Sequence, residues 1–182
     1  MEACCLHILK LLDSGVKLQN PMLEASRQSS NSNLILTSLS NLLLAVNPRS
    51  GKPDHMLNIV KFVNHAWRLP AHGLHAIEVI RGVGKSSAMA QNSLLATFRV
   101  NDTTANAIIK GFADVLDNDV EEIDNAESDV KTDDIRIAAV ELLLDGLEMP
   151  APTLTHFLLG FNLQKGISKS TIQPQGVLGA VR

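Results

Sequence analysis

The chain has 182 residues, a formal net charge of −3 and 45% hydrophobic residues, but only five phenylalanines, one tryptophan and no tyrosine. The hydrophobic content excludes a disordered chain, and the scarcity of aromatic residues favours packed helices over a β-sandwich or barrel. The net charge argues against a general nucleic-acid binder. The only cysteines, Cys4 and Cys5, are adjacent and rarely pair in a helix, so a reducing compartment fits the chain.

In the first half of the chain, apolar residues recur at i, i+3, i+4 and i+7, the spacing of amphipathic helices. Asn20 precedes Pro21 as a helix start, and Asp54 is a candidate N-cap. The Asn47–Pro53 segment, rich in proline and glycine, predicts a loop. The predicted helices are Glu2–Leu12, Pro21–Arg27, Leu39–Val46 and Met56–Trp67.

The second half continues the same pattern. Gly82 and Gly84 are predicted to end one helix, Ser86 or Ser87 to open the next, and Thr153 to cap the last. The segment that begins at Asp133 has the widest apolar stripe. The predicted helices are Pro70–Val83, Ser87–Arg99, Asp102–Leu116, Asp133–Leu147 and Leu154–Gly160.

Two further segments lack a helical pattern. Asp117–Asp129 is an acidic insert within Asp114–Asp134, a stretch that holds ten of the nineteen acidic residues and one basic residue. Gln164–Arg182 is rich in glycine and predicts an extended connection. With these features, residues 1–182 predict one all-α segment of a longer chain. Its eight or nine helices form an irregular solenoid without strict sequence repeats.

The sequence motifs that could bind a phosphate group or a metal ion are incomplete. Gly84-Lys85-Ser86 resembles the end of a phosphate-binding loop, but Val79 stands where that loop needs glycine. Asp117, Asp119 and Glu121 have calcium-loop spacing, but Glu122 replaces the required glycine and Ser128 the required glutamate. A solvated acidic surface is the preferred interpretation.

The histidines and aromatic residues favour structural roles. His65, His72 and His75 supply too few ligands for a zinc site and predict surface or groove histidines. His156 predicts a hydrogen-bonded residue at the core boundary. The sequence therefore predicts a non-enzyme, with no catalytic, cofactor-binding or metal-ligating residue, no cofactor and no small-molecule substrate. The expected core or groove anchors are Phe62, Trp67, Phe98, Phe112, Phe157 and Phe161.

Residues 1–20 do not form a signal peptide because charged residues interrupt the apolar run. No stretch approaches the roughly 18 apolar residues of a transmembrane helix. The sequence thus predicts neither secretion nor a membrane span.

Four collinear stretches resemble a known family. They are Leu42–Arg49 (LLLAVNPR), Asn58–Val60 (NIV), Phe157–Leu163 (FLLGFNL) and Gly176–Gly179 (GVLG). Their order and spacing are similar to the middle region of the giant α-solenoid scaffold nucleoporins of the nuclear pore inner ring. The similarity extends roughly from Leu34 to the end of the chain.

The resemblance implies a superhelix of armadillo- and HEAT-like repeats at the nuclear envelope, within the nuclear pore complex. It implies a structural role that supports nucleocytoplasmic transport of protein and mRNA, with linker nucleoporins docked through short helices and channel nucleoporins as further partners. It brings no catalytic residue, cofactor or direct nucleic-acid contact. The matching positions look architectural: Leu42–Leu44 as core, Pro48 as a turn and Gly160 as a helix end.

A second interpretation remains open at this stage. Another helical-repeat adaptor, such as a nuclear transport receptor or a trafficking coat subunit, has the same periodicity. Transport receptors often carry acidic loops on an inner face, a role that Asp117–Asp129 would suit. A small all-α enzyme is a third possibility, but no acid–base or metal constellation supports it.

Overall fold

A computed structural model describes residues 2–28, 37–117, 130–163, 172 and 176–177. Within these residues the chain is all-α, as predicted, with isolated backbone bridges between Asn47 and Lys52 and between Phe161 and Ile172 but no strand. A 3-10 turn, Val63–His65, follows the third helix. The helices are α1 (Glu2–Gln28), α2 (Leu39–Leu44), α3 (Asp54–Val60), α4 (Pro70–Ser86), α5 (Ala88–Phe98), α6 (Asp102–Asp117), α7 (Thr132–Glu148) and α8 (Leu154–Leu158).

The packing repeats every three elements. Helix α4 lies between α1 and α7, and these three form what we call the long row. Helix α5 likewise contacts both α2 and α8, and α6 packs on the 3-10 turn that follows α3. Each element thus contacts the equivalent element of the next repeat, the arrangement of a helical solenoid built from three-helix units. The structural repeat exists although the sequence shows no strict one.

The helices of the long row run parallel. His72, His75 and Glu78 of α4 contact Glu2, Asp13 and Lys17 of α1, respectively, so both helices advance in the same direction. The contacts of Arg81 and Lys85 with Glu141 and Asp145 relate α4 to α7 in the same way.

The centre of the core is α4, because it is covered on both sides by the long row and beneath by α3 and α5. Ile77, Val79 and Ile80 are fully buried, whereas Leu74 is half-buried. Each buried aliphatic side chain contributes about 1.5–3 kcal/mol of transfer free energy. A helix with two row neighbours therefore supplies more burial than a helix at either end of the row.

Gly82 and Gly84 do not end α4, contrary to the prediction, since the helix continues to Ser86. Gly82 allows close approach of the neighbouring helix α1 instead. A Cβ on Gly82 would lie 2.6 Å from Val16 Cγ1 of α1, and Gly84 faces the Gln91 amide of α5. Ser87 then caps α5 as predicted, with its side chain accepting a hydrogen bond from the Ala90 backbone N–H.

The two helices predicted near the start of the chain are one continuous helix, α1, with Pro21 inside it. Proline removes a backbone hydrogen bond, a cost that normally ends or kinks a helix. Tertiary contacts on the preceding turns offset that cost. Val16 packs on α4 at Gly82, and Gln19 exchanges hydrogen bonds with the buried Ser40 of α2.

The helix predicted over Met56–Trp67 is shorter, because α3 ends at Val60 and a 3-10 turn follows. Asp54 is the first helical residue and not the cap. Its carboxylate accepts hydrogen bonds from Asn47 Nδ2 (2.9 Å) and Ser50 Oγ (2.5 Å), and so fastens the Asn47–Pro53 loop. The predicted turn at Pro48 is confirmed.

Helix α8 docks on the end of α7 through hydroxyl groups. Thr153 Oγ1 donates to the Gly146 carbonyl (2.9 Å), and Thr155 Oγ1 donates to the Leu143 carbonyl (3.0 Å). The Gly146 carbonyl is one of the last four of α7, which lack a partner within the helix, and Thr153 satisfies it. Gly160, with φ 85°, follows the helix at the position predicted as its end.

Two predicted segments lie outside the residues that the structure describes. Residues 118–129 of the acidic insert are not among the described residues, and neither is most of 164–182. Asp117 is described as the last residue of α6. The predictions for both segments therefore remain predictions.

The surroundings of Gly84 and Gly146 predict opposite effects on stability when each glycine is changed to alanine. Gly84→Ala adds a Cβ 3.5 Å from the Gln91 amide, an ordinary contact, and should stabilise the chain by up to about 1 kcal/mol through helix propensity. Gly146→Ala would overlap the Thr155 hydroxyl and should destabilise it by about 1–3 kcal/mol. Urea unfolding of both variants measures the difference, and equal midpoints would contradict the described α7–α8 contact.

Candidate functional site

A charged edge runs along one side of the long row. Lys17 of α1 contacts Glu78 of α4 at 3.1 Å, and Arg81 of α4 contacts both Glu141 and Asp145 of α7. Within the part of the chain described, this edge links all three long helices through opposite charges. Its members are Asp13, Lys17, His75, Glu78, Arg81, Lys85, Glu141 and Asp145.

Two opposing effects shift the pKa values of Asp145 and Lys17: burial disfavours the charged form, and the neighbouring opposite charges favour it. Burial alone would raise the pKa of Asp145, but hydrogen bonds and charge from Arg81 and Lys85 outweigh it and lower the pKa below its ordinary value. Burial would likewise lower the pKa of Lys17, and contacts with Asp13 and Glu78 raise it instead. Lys17 and Asp145 are therefore charged at neutral pH, and their ion pairs hold the helices in register.

Two of the predicted surface or groove histidines lie between α1 and α4. His72 is 6% exposed, stacks on Phe62 with centroids 5.6 Å apart, and bonds the Glu2 carbonyl at 3.0 Å. His75 contacts Asp13 Oδ2 at 3.0 Å. Both join α4 to α1, so of the predicted surface or groove positions these two histidines occupy the groove between the helices, His72 buried and His75 half-buried. His65 is exposed.

His156 is a buried, hydrogen-bonded histidine, as predicted. Its Nδ1 accepts a bond from the Thr153 backbone N–H at 3.3 Å and lies 2.7 Å from Thr153 Oγ1. Phe161 meets the ring edge-on at 5.6 Å. Burial lowers the pKa of His156, so the neutral form is favoured in the folded state.

A shallow, solvent-open groove lies between the α4–α5 pair and the α7–α8 pair. Gly84 and Gly146 line the groove together with three apolar residues, Ile80, Leu142 and Leu154. Gln91 reaches its base, where Nε2 contacts Met149 Sδ at 3.7 Å. Lys85, Arg81 and Asp145 form the rim. The groove thus combines apolar walls with a charged border.

The two outer helices of the long row expose apolar stripes. On α7 the exposed residues are Ile137, Val140, Leu144 and Leu147. On α1 they are Ile8, Leu11, Leu18 and Met22. Each stripe faces away from α4, the row neighbour that covers the opposite side.

The incomplete sequence motifs do not assemble into sites within the described residues. Val79 is fully buried in the middle of α4, and Gly84-Lys85-Ser86 is the end of that helix, so no strand-to-helix phosphate loop is formed there. Asp119, Glu121, Glu122 and Ser128 lie outside the described residues. In the described ranges, no cluster of three metal-ligating side chains occurs.

The aromatic side chains divide between core and surface. Phe98, Phe112 and Phe157 are buried anchors, as predicted. Trp67 is 57% exposed and therefore lies at the surface. Leu42, predicted as core from its motif, is also exposed, while its neighbour Leu43 is buried. Sequence periodicity missed Leu42 because a short helix such as α2 leaves the choice of inward face to its neighbours, and it missed Trp67 because the predicted helix ends before that residue.

These features define a class: an all-α repeat protein whose candidate sites are grooves and faces that other helices can cover. In the described ranges, no helix combines the length and hydropathy that a membrane crossing needs. The family model described as "Nuclear pore complex scaffold, nucleoporins 186/192/205" matches residues 1–181. The chain belongs to this family, which confirms the resemblance inferred from the four collinear stretches.

Named relatives from three organisms agree with the family. The chain is 29% identical over 191 residues to the human nuclear pore complex protein Nup205. This match covers the whole chain but only 9% of the human protein. It is 33% identical over 120 residues to Drosophila melanogaster Nup205, covering 66% of the chain and 6% of that protein. The Arabidopsis thaliana NUP205 match is 34% identical over 71 residues, 39% of the chain and 4% of that protein.

The depressed pKa of His156 predicts a loss of stability in mild acid. Below the ordinary histidine pKa of about 6.5, the His156 side chain is protonated in the unfolded state, whereas its lowered pKa keeps it neutral in the folded state until the pH falls further. The free energy of unfolding should therefore fall as the pH drops through that value, and less steeply in His156→Gln. Urea titrations between neutral and mildly acidic pH measure the slope, with the exposed His65→Gln as control. An unchanged slope in His156→Gln would contradict the assignment.

Proposed function

We propose that the chain is one segment of a longer scaffold protein of the nuclear pore inner ring, and that it supports protein and mRNA transport by holding other nucleoporins in place. The observation that carries the proposal is the stacking of three-helix units in a member of the scaffold family. Such stacking makes an extended surface, and the family description implies a structural role.

The partners proposed are linker nucleoporins, docked through short amphipathic helices, and channel nucleoporins. A short helix binds a groove by placing residues at i, i+3, i+4 and i+7 against apolar walls. At the groove between α4–α5 and α7–α8, the apolar lining residues Ile80, Leu142 and Leu154 are almost fully buried, so a partner helix would rest mainly on the charged rim of Arg81, Lys85 and Asp145. No step of this function requires a catalytic group, cofactor, small-molecule substrate or nucleic acid.

Localisation tests the scaffold assignment. A fluorescent tag on the full-length protein that contains this chain should give a continuous rim at the nuclear envelope. Diffuse cytosolic or Golgi staining would instead favour the transport-receptor or coat-subunit interpretation.

Site-specific photo-cross-linking tests the groove. A photoreactive amino acid at Lys85, on the groove rim and half-exposed, should cross-link to another nucleoporin in isolated pore complexes. The same group at the exposed loop residue Arg49 is the matched control. Cross-links from Arg49 but none from Lys85 would contradict docking at this groove. The assignment as a scaffold protein would then still be tested by the localisation experiment.

A further inference from the structure

The loop between α2 and α3 is closed by a network of hydrogen bonds that centres on Ser50 and Asp54. The Ser50 hydroxyl donates to Asp54 Oδ2 at 2.5 Å and accepts from the Lys52 backbone N–H at 3.2 Å. Asn47 donates to the same carboxylate oxygen through Nδ2 at 2.9 Å. The Asn47 backbone N–H donates to the Lys52 carbonyl, and its carbonyl accepts from the Gly51 N–H, both at 2.8 Å. Ser50 therefore links the tip of the loop to the first residue of α3.

Hydrogen bonds rather than apolar burial hold this loop, because residues 48–52 are all exposed. Segments with few buried apolar contacts open locally at a small cost in free energy. The helices on either side are anchored separately, α2 by the buried Leu43 and α3 by the buried Met56 and Ile59. The loop can therefore open, and present an extended segment to an enzyme, while both helices remain in the core.

The sequence around Ser50 is basic. Arg49 precedes it directly and Lys52 follows at the second position, and both side chains are exposed. Among the serines and threonines of the described ranges, Ser50 alone has a lysine or arginine within two positions on both sides. Asp54 is the single acidic residue in the sequence between residues 25 and 77. An enzyme with an acidic substrate groove would therefore be attracted to this loop by opposite charge.

We propose that Ser50 is a phosphorylation site for a basophilic serine kinase, and that its phosphorylation opens the loop between α2 and α3. The kinase transfers the γ-phosphoryl group of ATP to Ser50 Oγ. A bond forms between Oγ and the γ-phosphorus, and the bond from that phosphorus to the oxygen bridging the β-phosphate breaks. ADP leaves with the bond electrons, and the hydroxyl proton passes to the kinase and then to solvent. The site is separate from the docking groove and does not rest on the function proposed for it.

Phosphorylation replaces the attraction between Ser50 and Asp54 by repulsion. Phosphoserine has no hydroxyl proton to donate and carries a charge of about −1.5 to −2 at neutral pH. The pKa of Asp54 lies below its ordinary value, chiefly because of the hydrogen bond from Ser50, and an aspartate with an ordinary pKa is also ionised at neutral pH. Two anions then face each other where a hydrogen bond joined the side chains. Their separation breaks the link between the loop tip and α3.

Phosphate mapping on the full-length protein that contains this chain tests the site. A purified basophilic serine kinase with ATP should phosphorylate Ser50, as located by mass spectrometry of the digested protein, and Ser50→Ala should lose that phosphate. Arg49→Gln combined with Lys52→Gln should slow its incorporation by about tenfold or more, because the charges that attract the kinase are gone. The exposed pair Arg68→Gln with Arg99→Gln is the matched control and should leave the rate unchanged.

Two outcomes of the mapping would overturn the site. One is the absence of phosphate at Ser50 in the full-length protein, which would mean that adjoining parts of the longer protein cover the loop. The other is a rate that does not change when Arg49 and Lys52 are replaced, because the basic flanks would then play no part in recognition.

Hydrogen exchange tests the opening of the loop. The backbone N–H groups of Asn47, Gly51 and Asp54 are hydrogen-bonded within the loop. After phosphorylation they should exchange about tenfold faster or more, as expected when a hydrogen bond to a charged group is lost. The Gly73 N–H, bonded to the Leu69 carbonyl at the start of α4, is the control and should exchange at the same rate as before. Unchanged exchange of the loop in the phosphorylated protein would overturn the opening.

Asp54→Asn tests whether repulsion causes the opening. Its neutral amide faces Ser50 without a charge and can donate a hydrogen bond to the phosphate, so phosphorylation should change the exchange of the loop little. Ser50→Ala in the unphosphorylated protein measures the effect of losing the hydroxyl alone, which should be smaller than that of the phosphate. Equal acceleration by phosphate in Asp54→Asn and in the unmodified protein would overturn the proposed repulsion.

Discussion

The structure depends on the coverage of α4 by α1 on one side and α7 on the other. Five residues of α4, namely Ala76, Ile77, Val79, Ile80 and Val83, have no solvent exposure, a degree of burial that neither outer helix of the row reaches along its length. A helix buries two faces only when a neighbour stands on each side. The remaining elements support this row, because α5 and the 3-10 turn close the underside of α4.

Close approach and charge fix the register of the row. Gly82 lets α1 approach α4, and Gly146 lets α8 approach α7, because a Cβ at either position would collide with the neighbouring side chain. Apolar stripes alone allow one helix to slide along another. The pairs from Lys17 to Asp145 along the charged edge hold each helix at one position, since a shift of one turn would separate the partners or bring like charges together.

This architecture suits a scaffold, because its chemistry is that of surfaces. The described residues bring together a groove, a charged edge and exposed apolar stripes, the kinds of feature through which helices can be recognised by shape and charge. Membership in the nuclear pore scaffold family agrees with that character. The chain spans about a tenth or less of the length of the relatives it matches, so the surfaces described are a small part of what such proteins present.

The sequence by itself determined the all-α class, the positions of most helices and the family. Periodicity located α4 to α8 within a few residues, because long apolar stripes and caps such as Ser87 are local signals. Tertiary structure alone decided which faces are covered. Pro21 lies inside α1 because α2 and α4 hold the helix on the preceding turns, and Gly84 lies inside α4 because it adjoins α5. Ile8 and Leu147 look like core residues in the sequence but are exposed, since burial depends on a neighbouring helix that local sequence does not encode.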